Sequence, residues 1–177
     1  MVLTKNGETL VCVPIGLTNV TSVTIPSGVT IIGDYALDWC QATNVTIPDS
    51  VTSIGIRALS EGQLTSMTIP DSVTTLGTWL FAWSYMLTSV TIGSGVSTIP
   101  ANAFNSCNRC ITFDFRRATH VLTLNNVNAF SGTSANKEII VPDALYDDWI
   151  SASNWSSSTN GIVDAIIRAS DYEQSLA

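Results

Sequence analysis

A block reading VTIPSGVTIIGDYAL from Val23 returns as VTIPDSVTSIGIRAL from Val45, MTIPDSVTTLGTWLF from Met67 and VTIGSGVSTIPANAF from Val90, at steps of 22, 22 and 23 residues. No other feature constrains the fold as tightly. A unit this short cannot bury an apolar face alone, so its copies must stack and share one continuous core, which is the logic of a solenoid.

Overlaying the copies separates interior from surface. Val23, Val45, Met67, Val90 and Ile111 form one apolar column, and Ile25, Ile47, Ile69, Ile92 and Phe113 a second. Thr24, Thr46, Thr68, Thr91 and Thr112 stand between them, the alternation of a strand with two inward side chains and one outward. Further columns run through Val29, Val51, Val73 and Val96, then Ile32, Ile54, Leu76 and Ile99, then Leu37, Leu59, Phe81 and Phe104. Pro26, Pro48 and Pro70 end the strand, and the Ser-Gly or Asp-Ser pair behind each supplies a turn. Gly33, Gly55 and Gly77 mark a second corner, and Ala36, Ala58 and Ala103 keep a column small that Leu80 breaks. A period of 20 to 29 residues belongs to leucine-rich-repeat solenoids.

The ends depart from the repeat. In the fifth coil Ala129 and Phe130 fall sixteen and seventeen residues after Phe113, so about five residues are inserted, near Arg116, Arg117, Ala118, Thr119 and His120. A last strand is expected over Glu138–Pro142, followed by a helix in which Leu145, Trp149 and Ile150 share a face and Asp143 is the N-cap. At the start, LTKNGETLVCVP reads as a hairpin turning at Asn6-Gly7, with Val11 and Val13 inward.

The unit V-T-I-P-x-x-V-T-x-I-G-x-x-A-(L/F) resembles the BspA-like, or treponemal-type, leucine-rich repeats over about Val20 to Phe130. The leader NGETLVCVPIGLTNVTSVTIP and the closure IIVPDALYDDWISASNW extend the likeness to nearly the whole chain. The expected fold is mainly β with short helical and irregular segments: one right-handed leucine-rich-repeat solenoid over residues 1–177. It has an N-terminal β-hairpin cap (1–19), about five repeats of 22–23 residues (20–136, the fifth irregular) and a C-terminal helical cap (137–177). The resemblance implies microbial surface adhesion and binding of host matrix proteins. Similar modules occur in bacteriophage particles, so a decoration or fibre protein packed against neighbouring capsid or tail subunits is the alternative function. The family brings no catalytic motif and no cofactor.

Composition narrows the partners. A net charge of −7 and a pI near 4.3 disfavour nucleic acid, whose binding depends on Lys and Arg neutralising phosphates. No run approaches the ~18 apolar residues of a membrane span. The start MVLTKNGETL lacks the basic and apolar regions of a secretory signal, so the expected location is a cell surface reached by another route, or a virion. Enzymatic chemistry is the distant third function, because the single histidine, His120, stands without a nucleophile elbow, a metal-spaced partner or a phosphate loop.

Two groups of residues are candidates for binding a protein or glycan partner. Trp39 and Trp83 share a column with Glu61 and Ser106, and Trp79 shares another with Tyr35, Arg57 and Asn102. Columns that vary this much point away from the core, and Trp79, Trp83 and Tyr85 on one surface would anchor a partner, or else pack the flank or a second protomer. The second group is basic on an acidic chain: Arg116, Arg117 and His120, with Arg109 near in sequence, suited to a carboxylate or to a neighbour's Asp143, Asp147 and Asp148, or simply a solvated loop. The four cysteines are read as structural thiols, a disulfide or half a metal site; Cys40 and Cys107 share a column with Gly62 and Ser84 that wants a small, partly buried side chain.

Overall fold

In a computed structural model, residues 1–13, 20–155, 162 and 165–177 are described. Residues 14–19, counted above with the N-terminal cap, lie outside them. The chain opens with an antiparallel hairpin of β1 (Val2–Leu3) and β2 (Thr9–Cys12), turned at Gly7, whose φ is +78°. Each coil then lays a longer strand on one face and a two-residue strand on the other: β3 (Ser22–Thr24) and β4 (Ile31–Ile32), β5 (Asn44–Thr46) and β6 (Ser53–Ile54), β7 (Ser66–Ile69) and β8 (Thr75–Leu76). The pattern continues with β9 (Ser89–Ile92) and β10 (Thr98–Ile99), then β11 (Thr112–Asp114) and β12 (Thr123–Leu124). A cap of β13 (Glu138–Val141), α1 (Tyr146–Ser151), β14 (Ile166–Arg168) and α2 (Ala169–Ser175) closes the stack.

Pairing between coils is parallel and in the register that the columns dictate, Val23 against Val45 and Met67 against Val90. The inward columns are buried, with Val29, Val51, Val73 and Val96 all at 0% exposure. Threonines tie the coils from outside: the Thr43, Thr65 and Thr88 hydroxyls each donate to the carbonyl one coil earlier, at Thr21, Thr43 and Thr65. Gly77 lets the backbones meet, since a Cβ there would sit 2.3 Å from the carbonyl carbon of Gly55. Leu80, which breaks the alanine column, is nevertheless wholly buried.

Four sequence expectations are corrected. In the hairpin Leu10 is inward, 0% exposed and paired with Ile32, while Val11 is 45% exposed; Val13, past the end of the strand, is buried as expected. Shifting a strand by one residue exchanges its faces, and the neighbouring β4 decides which face wins. In the fifth coil Phe113 takes the first column opposite Val90 and Phe115 is buried, leaving Ile111 exposed. Ile111, Phe113 and Phe115 alternate equally well in either register, so alternation could not choose; packing does, because Phe113 meets Phe104 at 4.9 Å and Phe130 at 5.0 Å between ring centroids. With this register the insertion is three residues, not five: Ala129 follows Phe113 by sixteen positions where Ala103 follows Val90 by thirteen. Finally, Asp143 does not cap its own helix. The 3-10 turn Asp143–Leu145 leads into α1 without a side-chain cap, and the Asp143 carboxylate accepts from the N–H of Ser170 at the start of α2, 3.0 Å away.

Leu145, Trp149 and Ile150 do face the core together, as their spacing predicts. Trp149 stacks on Phe115 and meets Trp155 at 5.4 Å. The Trp155 indole N–H donates to the Leu122 carbonyl (2.6 Å) and Asn154 to that of Leu124 (3.4 Å), which occupies acceptors beside β12 that would otherwise be free. The strands of β14 and the helix α2 extend this cap beyond the single helix read from sequence.

Candidate functional site on the solenoid flank

The variable columns occupy the corner between each two-residue strand and the return of the coil. Eight non-glycine residues there have positive φ, between 53° and 61°: Tyr35, Trp39, Arg57, Glu61, Trp79, Trp83, Asn102 and Ser106. Among the described residues, the non-glycine positions with positive φ are the two variable columns and nothing else. Each is the third residue of a tight turn, closed for example by Cys40 N–H to Leu37, Ser84 N–H to Phe81 and Cys107 N–H to Phe104 carbonyls. Glycine is the usual residue at such a position, and a bulky side chain there costs roughly 1–2 kcal/mol. The stack enforces the geometry: Tyr35, Trp39, Arg57, Glu61, Trp79 and Trp83 each donate their backbone N–H to the following coil, Tyr35 to Ile56 at 2.9 Å and Trp83 to Asn105 at 2.9 Å.

Residues four apart are thereby presented side by side. Trp79 and Trp83 stack with centroids 5.0 Å apart and planes 8° from parallel. One coil earlier Arg57 and Glu61 form an ion pair at 2.7 Å. The Arg57 guanidinium lies 4.8 Å from the Trp83 ring centre and 5.9 Å from that of Tyr35. A ladder of Tyr35, Arg57, Trp83 and Trp79 thus crosses three coils. Its Arg57 Nε is buried with no acceptor, a shortfall of about 1–3 kcal/mol that stability alone would not retain. Tyr35, Ile56, Arg57, Thr78, Trp79 and Trp83 line an open cleft of about 410 Å³. Trp39 and Tyr85 stand half exposed, at 51% and 52%, with no ring partner among the described residues.

The basic group is dispersed instead. Arg116 is held by Asp114 (2.7 Å) and Glu173 (3.1 Å) and lies over the Tyr172 ring, which straps α2 to the fifth coil. Arg117 reaches across the small residues Gly93-Ser94-Gly95 of the fourth coil to pair with Asp71 in the third. The Asp71 carboxyl sits below its ordinary range, chiefly because it accepts the Ser94 backbone N–H at 2.7 Å, with Arg117 contributing less. His120 is exposed beside the Thr119 hydroxyl, and Arg109 points at the Met86 sulfur. Arg168, between Asp147 at 3.1 Å and the Tyr146 ring, occupies the acidic cap that the sequence offered to a neighbour.

Arg117 also overhangs a cleft of about 640 Å³ between β5 and β7. The long sheet is interrupted there: β3 and β5 form one piece and β7, β9, β11, β13 and β14 another, while β6 and β8 stay paired on the opposite face. Sequence gave no sign of this seam. Strands β5 and β7 both run into the same Thr-Ile-Pro-Asp-Ser-Val sequence, and in their inward columns only Met67 in place of a valine distinguishes them.

The cysteines are free thiols; Cys40, Cys107 and Cys110 are buried. Cys107 donates to the Phe81 carbonyl at 2.9 Å, as the Ser84 hydroxyl does to Leu59 one coil earlier, so the shared column has a shared hydrogen-bonding role. Burial pushes the Cys107 thiol up to about 12. No helix among the described residues is long and apolar enough to cross a membrane.

Parallel coils, inward aliphatic columns and a small turn column define a leucine-rich-repeat solenoid. Residues 16–137 match, in six copies, the family described as BspA type Leucine rich repeat region, and the chain belongs to that family. A leucine-rich repeat protein from Eubacterium ventriosum superposes with a TM-score of 0.58 at 20% identity, over 73% of this chain and 47% of that one. The pneumococcal vaccine antigen PcpA gives 0.56 at 15%, over 88% and 44%, and a leucine-rich repeat protein from Bacteroides ovatus 0.51 at 20%, over 76% and 42%. At these identities the likeness is one of fold, and the chain spans less than half the length of each. No curated protein matches the sequence.

Proposed function

We infer that this chain is a non-enzymatic recognition module, working at an extracellular surface, that grips its partner through the flank carrying Tyr35, Arg57, Trp79 and Trp83. The observation that carries the reading is the ring and guanidinium ladder at left-handed positions. Rigid aromatics and arginine supply contact energy at low entropic cost, and strained backbone concentrates at sites of function. The fold shared with a protein described as a pneumococcal vaccine antigen supports the surface location. The test is to probe immobilised matrix proteins and glycans with the parent chain and with Trp79→Ala and Tyr35→Ala. Each variant is expected to keep its melting temperature and to weaken binding by about 1–2 kcal/mol, as hot-spot truncation does. Arg117→Ala should bind as the parent does. Unchanged binding by both aromatic variants, with loss in Arg117→Ala, would move the site to the seam.

A further inference from the structure

We propose that the cleft between Tyr35 and Trp79 binds a neutral, extended oligosaccharide running along the solenoid axis. This rests on the reading of the flank as the binding face and names the ligand class. The flank alternates by coil: two exposed rings that do not stack at Tyr35 and Trp39, an ion pair at Arg57 and Glu61, a stacked ring pair at Trp79 and Trp83, then an amide and a hydroxyl at Asn102 and Ser106. Adjacent coils lie about 4.8 Å apart, so aromatic side chains recur at roughly 10 Å in the first and third coils, a spacing suited to a ligand that is itself a linear repeat.

Three features select the chemistry. The cleft is lined by six residues and encloses about 410 Å³, the scale of a small-ligand site, where a protein interface engages about 20–30 residues a side. Its charge is internally neutralised, because Arg57 is paired with Glu61, and the chain as a whole carries −7; an anionic polymer gains nothing there. The Tyr35 and Thr78 hydroxyls and the neighbouring Asn102 amide have no hydrogen-bond partner among the described residues. An apolar peptide side chain entering the cleft would leave those groups unpaired. A pyranose ring meets both demands, since its C–H face lies on an aromatic ring while its rim of hydroxyls donates and accepts.

The experiment titrates the full chain with cello-, manno- and N-acetylchito-oligosaccharides of two to six units, reading tryptophan fluorescence and calorimetric affinity. At least one neutral hexasaccharide is expected to bind one to one. Its affinity should fall about tenfold or more on shortening to the disaccharide and stay constant between 50 and 500 mM salt, as for an uncharged ligand. Trp79→Ala should weaken it at least tenfold, with Trp79→Phe restoring part of the loss should the alanine variant unfold, and Ile111→Ser should leave it unchanged. No binding by any of these saccharides at 5 mM, a steep salt dependence, or affinity indifferent to Trp79→Ala each overturns the proposal. If a protein on the array loses binding with the same variants while every saccharide fails, the flank remains the recognition face and only the glycan assignment falls.

Discussion

Close approach and burial act residue by residue in this stack. At Gly77 a methyl group would overlap the Gly55 carbonyl carbon at 2.3 Å and the Ile56 nitrogen at 2.4 Å, both backbone atoms that cannot step aside. Gly77→Ala is therefore expected to lower stability by about 2–3 kcal/mol in urea titration. Gly28→Ala, with open space around the added Cβ, should stay within about 0.5 kcal/mol of the parent. The thiols give a second residue-scale prediction. Cys107 holds its proton up to about 12 in the fold, chiefly through desolvation, against about 8.5 in the unfolded chain. Because the folded value is raised, the contribution is fully present below the unfolded value and is lost as pH rises from there toward 12. Cys110, raised by the same burial, acts in the same direction. Urea midpoints should fall above pH 9, and replacing both by serine should flatten that slope. The Cys107 half of the change imitates what the third coil already carries at Ser84.

Among the elements, the C-terminal cap depends on a contact that local sequence does not announce. Asp143 lies in the turn before α1 yet serves α2, accepting the Ser170 N–H, and this hydrogen bond is the first cause of its carboxyl standing below the ordinary range. A depressed carboxyl contributes stability above its unfolded value and loses it as pH falls through the folded one. Amide exchange in α2 should therefore accelerate below about pH 4, and Asp143→Asn should show the faster exchange at neutral pH while β9 remains protected. The signature of an N-cap, Asp before an apolar helical face, was legible at Asp143; its target was not. Helix α2 approaches through β14, which pairs with β13 across residues far along the chain.

Across the whole molecule, the shared core makes stability a sum over neighbours, with the seam between β5 and β7 as the place where that sum is thinnest. Val51, 0% exposed within the stack, should not tolerate a charge: Val51→Asp is expected to cost at least about 4–5 kcal/mol and to abolish cooperative melting. Ile47 is 7% exposed and borders the seam cleft, so Ile47→Asp should lose measurably less in the same melt because water reaches the new carboxylate. The sequence by itself determined the solenoid, its period, the inward columns and the fact that Trp79, Trp83 and Tyr35 leave the core, because every coil must fill the same interior and only outward positions are free to vary. Tertiary structure alone decided the rest. Phe113 rather than Ile111 entered the first column because the rings of Phe104 and Phe130 were waiting for it. The left-handed turns that set Trp79 against Trp83, the guanidinium laid between two coils' rings, and the dispersal of Arg116 and Arg117 to separate carboxylates all depend on which coil lies next to which. That distance runs through space, about 4.8 Å between adjacent coils, while along the chain it is a full repeat of 22 or 23 residues.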